Sequence, residues 1–290
     1  MANPKAKRPE NIDGNFFVDS SCINCGTCYW VAGATFRREG EQSAVYSAPT
    51  TSAEVEAAYR ALYSCPTHSI GVHAGEPVAQ EVLNDFPVLI RDNVYHTGFH
   101  AESSFGATSY FIRQERGNIL IDSPRFVKKL AHRFKDMGGI ALQLLTHRDD
   151  IADTDKYWEM FQSKRMIHVD DITPATAHYE GFFEGEQEIA LDDNMVVIPV
   201  PGHTKGSCCF LYKNKFLFTG DHLAFSHSLG HLYAFKGACW HSFEIQIKSL
   251  AKLLDYRFEY VLPGHGAPFC GSPAQVKHSL EKCLAWAREN

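Results

Sequence analysis

At 290 residues, 44% hydrophobic and 21% charged, the chain has an ordinary globular composition and is long enough for one large domain, or a small one ahead of one of about 200 residues. A net charge of −6 gives no broad basic field, which argues against nucleic acid or a membrane surface as partner. No apolar run approaches the roughly 20 residues that span a bilayer, and the opening MANPKAKRPENIDGN lacks the apolar core of a secretory signal. A soluble cytoplasmic protein is expected, or one of a plastid or other organelle stroma if a transit peptide has been removed.

The first predicted elements form a small unit. NFFVD (15–19) reads as a strand, CYWVAGATF (28–36) as a short helix and SAVYS (43–47) as a strand; SAEVEAAYRALYSC (52–65) reads as a helix capped by Ser52, and IGVH (70–73) as a last strand. Among them CINCGTC sets Cys22, Cys25 and Cys28 at two-residue gaps, and SCPTHSI adds Cys65 before Pro66. Three thiolates on one loop can wrap three corners of an iron–sulfur cubane while a distant Cys-Pro closes the fourth. A zinc site of four cysteines is the alternative, although zinc ribbons usually bring two CxxC knuckles from separate turns. The chain has nine cysteines, an odd number, and no export signal, so a disulfide framework is the weaker reading. Cys208, Cys209, Cys239, Cys270 and Cys283 lack metal spacing and are expected as buried small apolar residues.

Over about residues 12–78 this pattern resembles the single-cluster bacterial-type ferredoxins, and all four ligand positions match. The resemblance implies a small ferredoxin-like α+β domain holding one [4Fe-4S] cluster that passes single electrons.

GEPVAQEVLNDFP (75–87) is polar, carries two prolines and reads as a boundary, with a linker over 79–87 and a second domain over 88–290. There strands and helices alternate. A hairpin is expected over 107–124, a helix over 126–138, a buried strand over 140–147 and a helix near 155–163. Strands RMIHV and MVVIPVPGHT follow, then a second hairpin over 207–221, an amphipathic helix over 244–255, the strand YVLPGHG and a last helix from about Pro273. The order suggests α/β layers, sheets covered by helices, with ligands at strand ends.

Four strand ends carry metal-binding residue types: His147 in LTH, His203 in PGHTKGS, Asp221 in FTGD and His265 in LPGHG. In this order and at this separation, over roughly residues 86–270, they resemble the metallo-β-lactamase superfamily, whose fold is an αββα sandwich. The family places His-x-His-x-Asp-His after the LTH strand. Its first metal is held by the two leading histidines, the PGHT histidine and the FTGD aspartate; its second by the trailing Asp-His pair, that same aspartate and the last histidine. Carried over, His147, His203, Asp221 and His265 match. Asp149 stands in place of the second histidine, and Ile151 and Ala152 fall on the trailing pair, where neither can bind a metal. A slide of the loop would offer Asp153 instead. The resemblance so amended implies one well-held ion and a second that is weak or absent.

Two imidazoles and a carboxylate with open positions suit non-haem iron(II), and zinc binds the same groups. Within the superfamily, persulfide dioxygenases hold iron with the positions matching His147, His203 and Asp221, and flavodiiron proteins carry a carboxylate where Asp149 stands. The pairing with a cluster points to a redox enzyme acting on a small molecule and leaves room for a redox partner protein, with Asp149 or Asp153 as proton acceptor. A zinc hydrolase of an ester, thioester or amide with a structural or regulatory cluster is the second reading, and a non-catalytic redox sensor or electron-transfer protein the third. RNA processing is disfavoured, since no large inserted domain or basic footprint is present.

Overall fold

The computed structural model describes residues 2–289, which fall into two compact units. The first runs up to Asn118 and takes in Ser123–Ile140 and Ala152–Tyr157. Its opening strand β1 (Phe16–Val18) pairs antiparallel with β4 (Ile70–Val72), and β2 (Phe36–Glu39) forms a hairpin with β3 (Gln42–Val45). Helices α1 (Thr27–Val31) and α2 (Ser52–Ser64) complete the module, and Phe16 sets its ring edge against Phe36 and Tyr59 at the centre. The α2 cap is Thr51, one residue before the expected Ser52. Its hydroxyl accepts from the Glu54 amide while the Glu54 carboxylate accepts from the Thr51 amide, a reciprocal capping box.

Residues ahead of the expected boundary at 12 also belong to the module. Arg8 is buried and donates to the carbonyls of Ser43 and Glu39, and Asn11 bonds Val18 on both of its amide atoms. The stretch expected as linker is helix α3 (Pro77–Asp85), with Pro77 in the first turn, where its missing N–H costs nothing, and Val82 buried. Strands β5 (Val88–Arg91), β6 (Val94–His96) and β7 (Tyr110–Ile112) follow as an antiparallel meander, and α4 (Lys128–Asp136) stacks Phe134 on Phe111 with centroids 4.6 Å apart.

The second unit comprises Ile119–Asp122, Ala141–Ile151 and the chain from Trp158 onward. Strands β8 (Ile119–Ile121), β9 (Leu142–Leu144), β10 (Lys164–His168) and β11 (Gly181–Phe183) run parallel in that order. Helix α5 (Thr154–Phe161) stands between β9 and β10 in the chain. A second sheet has the order β12 (Ile189–Ala190), β13 (Met195–Pro199), β14 (Cys208–Tyr212), β15 (Phe216–Gly220), β18 (Tyr260–Pro263), β19 (Phe269–Cys270). Helices α6 (Phe243–Lys252) and α7 (Pro273–Glu289) bury its inner face through Leu211, Leu217, Leu250, Val261, Leu280 and Leu284. Each of these side chains contributes about 1.5–3 kcal/mol by leaving water.

The His- and aromatic-rich stretch after Asp221 forms a small hairpin, β16 (Ala224–Ser226) with β17 (His231–Tyr233). Cys208, Cys209 and Cys283 are buried as expected, but Cys239 is only half-buried and Cys270, on a sheet-edge strand, is exposed. No helix among the described residues is long and apolar enough to cross a membrane.

Candidate metal centres

In the second unit, His147 follows β9, His203 follows β13, Asp221 follows β15 and His265 follows β18, so strand ends deliver all four. The Nε2 atoms of His147 and His203 face the carboxylates of Asp149 and Asp221. His147 Nε2 lies 3.9 Å from Asp149 Oδ2 and 3.8 Å from Asp221 Oδ2; His203 Nε2 lies 3.5 and 3.7 Å from the same two atoms. Donors bound at about 2.0–2.2 Å in a tetrahedral shell stand roughly 3.3–3.6 Å apart; the 3.5 Å separation lies in that range and the other three exceed it by a few tenths of an ångström, so a slight contraction of the group would close it around a small cation. Both Nε2 atoms are buried and lack a hydrogen-bond partner among the described residues, the state of a ligand aimed at an ion.

The other ring nitrogens fix this aim. His203 Nδ1 donates to the Ala238 carbonyl at 2.6 Å, which leaves the Nε2 lone pair toward the site. His147 Nδ1 lies 3.0 Å from Thr146 Oγ1, whose hydroxyl sits 3.0 Å from both oxygens of buried Asp122. Asp122 also accepts from the Thr146 amide, and its carboxyl titrates at about 7 because burial outweighs those bonds. Burial lowers His147 to about 4, although Asp221 opposes it, so the imidazole is neutral and able to ligate. Asp221 is held well below the usual range by His265, His147 and His203 against the opposing effect of burial.

Asp150 did not emerge from the sequence, yet the structure buries it at 1% exposure with Oδ2 unpartnered and 4.0 Å from His147 Nε2. Burial and the nearby Asp221 push its carboxyl well above the normal value. A Cβ at Gly264 would stand 2.8 Å from Asp150 Oδ2 and 2.9 Å from Asp221 Oδ1, so only glycine lets the LPGHG turn close on these carboxylates. The signal in the sequence was the doublet Asp149-Asp150, whose second member falls between the positions the family pattern reads.

Two ligand groups result among the described residues: His147 with Asp149 and His203, and His147 with Asp150 and Asp221. Both need His147 Nε2, and one lone pair binds one ion. His265 lies outside both groups, with its Nδ1 2.7 Å from Asp221 Oδ1, an arrangement that leaves Asp221 Oδ2 for the site. Ile151 packs beside Leu145, Ile167 and Tyr179. Asp153 starts α5: its carboxylate accepts from the Phe126 amide at 2.7 Å and pairs with Lys156 at 2.9 Å. Trp240 is 62% exposed on the loop before α6, its amide bonded to the His203 carbonyl and its ring 6.1 Å from the His203 ring.

The second centre lies in the first unit. Cys22, Cys25, Cys28 and Cys65 line one cavity with Val18 and Pro66. The amides of Asn24 and Ser43 both point at Cys22 Sγ at 3.4 Å. Burial pushes the Cys25 thiol up to about 11 and raises Cys28 further, so these two would not both be thiolates here without a cation to neutralise them. Four converging sulfurs with amide donors in an apolar wall fit an iron–sulfur cubane.

Comparison with known proteins agrees. Residues 18–72 match the 4Fe-4S single cluster domain of Ferredoxin I. Among solved structures, VMB-1 aligns with a TM-score of 0.52 at 18% identity over 69% of this chain and 96% of its own. The metallo-β-lactamase DIM-1 aligns with a TM-score of 0.52 at 19% identity over 69% and 96%. A metallo-β-lactamase family protein from Thermus thermophilus aligns with 0.52 at 12% identity over 69% and 81%. The comparison with curated proteins finds no match. The chain therefore joins a single-cluster 4Fe-4S ferredoxin domain to a metallo-β-lactamase fold.

Proposed function

We propose that the protein is an oxidoreductase in which the [4Fe-4S] cluster serves a single non-haem iron, acting on a small molecule. The observation that carries this reading is the donor set, two imidazoles and three carboxylates converging through one shared His147 Nε2. Carboxylate-rich, thiolate-free sites with imidazole suit iron(II), and hydrolysis needs no electron carrier. When bound, the iron supplies open coordination positions for substrate, and the cluster supplies single electrons.

The residues divide the remaining work. Ala238 and Thr146 hold the two imidazoles in the ligating tautomer. Asp149, exposed and kept ionised chiefly by its contact with His203, closes the ligand shell or accepts a proton from a substrate at the mouth. Asp221, and the buried Asp150 once a cation displaces its proton, supply negative charge that balances a divalent cation.

Anaerobic purification from iron-replete cells, metal analysis and EPR test it. The expected result is about five irons per chain, four of them in the cluster, with dithionite-reduced cluster reoxidised when the second iron is presented with an oxidising ligand. A chain holding one zinc, turning over thioesters regardless of cluster oxidation state, would establish the hydrolase instead. The exposed Asp149 beside the two imidazoles is what that second reading rests on, since it could take a proton from water.

A further inference from the structure

Cys25 is linked to two histidines that lie outside the 18–72 segment matched by the ferredoxin family. Thr27 Oγ1 lies 3.4 Å from Cys25 Sγ, 3.0 Å from His100 Nδ1 and 3.4 Å from the Gly106 carbonyl. His100 Nδ1 is also 2.8 Å from that carbonyl, and His100 Nε2 is 2.9 Å from His96 Nε2. The chemistry of these atoms assigns the protons. A carbonyl only accepts, so His100 Nδ1 carries the hydrogen and shares it between Gly106 O and Thr27 Oγ1. With Nδ1 as the donor, His100 presents Nε2 as an acceptor for His96 Nε2–H. With its lone pair occupied by His100, the Thr27 hydroxyl has its own hydrogen to give, and a cysteine sulfur bound to iron can only accept.

The surroundings hold this chain in place. His100 is fully buried, its amide donates to the Ser64 carbonyl, and the Trp30 ring stacks on it at 5.8 Å and 26°. Phe86 and Trp30 both border His96. Gly106, at φ +85°, is the point of closest approach: a Cβ there would stand 2.9 Å from Cys25 Sγ and 3.1 Å from Pro66. Only glycine lets this turn bring its carbonyl to His100 and Thr27 beside the cluster loop.

We propose that His100, oriented by His96 and Gly106, directs the Thr27 hydroxyl onto Cys25 Sγ and thereby sets the reduction potential of the cluster. A hydrogen bond to a ligating sulfur favours the more negative, reduced cluster, and such bonds are among the main determinants of cluster potential. Thr27 touches the ligand, whereas His100 and His96 act through it as positioning residues. The inference rests on the cluster being bound and is independent of what the second centre does.

Reductive titration of the anaerobically reconstituted full-length protein, followed by EPR and visible absorbance, tests it. Thr27→Val is expected to lower the ratio of reduced to oxidised cluster at a fixed potential about tenfold, which is about 59 mV for one electron. Thr27→Ser should restore the wild-type value. His100→Phe, which keeps a ring against Trp30, should move the potential the same way, and the double variant should shift no further than Thr27→Val alone. If His100→Phe fails to load a cluster, His96→Phe, one step further from the sulfur, takes its place with the same expected direction. An unchanged potential in Thr27→Val at full cluster content, or additive shifts in the double variant, would overturn the proposal. A chain that holds zinc in the four cysteines overturns the cluster reading itself, and is recognised by the absence of any EPR signal on reduction.

Discussion

Asp150 carries an unusual burden for one side chain. It is buried beside Asp122 and Asp221, both acidic, with an oxygen that no donor among the described residues satisfies. An ion relieves that repulsion, and its removal restores it. Asp150→Asn is therefore expected to melt higher than wild type in the presence of a chelator while binding the second-site metal about 10–100-fold more weakly. Thermal melts with and without added iron or zinc check both halves; a variant less stable than wild type under chelation would remove the charge argument. His147, His203 and Asp221 were legible because each ends an apolar strand, the last two beside a glycine. Asp150 was not, because the direction of a side chain in an irregular loop depends on packing that no local pattern records.

At the level of elements, Asp171 joins two loops that carry ligands. Its buried carboxylate accepts from the Arg148 amide at 3.0 Å, the Thr204 hydroxyl at 2.6 Å and the Gly206 amide at 2.9 Å. Asp171→Ala strands those donors and is expected to cost about 3 kcal/mol or more, with a metal affinity lowered about tenfold, measurable by denaturant titration and competition with a chelator. A second such tie lies between β10 and the approach to β11, where the buried Arg165 forks onto Glu180 and stacks on Trp158 and Tyr179. The Arg165 bonds hold the Glu180 carboxyl down at about 2. A depressed carboxylate contributes stability above its ordinary value near 4.5 and loses it as pH falls toward 2. The stability difference between wild type and Glu180→Gln should be full above about pH 4.5 and fade below it; a difference constant from pH 7 to 3 contradicts the assignment. Elements with strong periodicity were readable from the chain, including α2, α4, α6, α7 and the β14–β15 hairpin. Helix α3 was not, since a polar stretch opening on proline signals a helix start and a linker equally well.

For the molecule as a whole, each unit has its own apolar core and its own candidate inorganic group. Chelation that strips iron and sulfide from the cysteines is expected to lower the melting temperature of the first unit by several degrees, since four thiols, those of Cys28 and Cys65 buried, then lack the atoms they were arranged around. Calorimetry of the holo and stripped protein checks it, and identical traces would show the module stable without its cluster. The fold class and both centres were readable because motif order survives even where a ligand position has changed. The extent of the first unit was not readable, because Arg8, Asn11 and His100 are polar residues with partners far off in sequence.

The exposed indole of Trp240 gives the second centre an optical consequence. A ring 6.1 Å from the His203 imidazole lies within range of quenching by an open-shell ion, whereas a closed-shell one leaves its light largely intact. Titrating the protein with iron(II) should dim the solvent-exposed, red-shifted part of the emission, zinc should not, and Trp240→Phe should abolish the contrast. Which ion the cell supplies can then be followed by fluorescence alone.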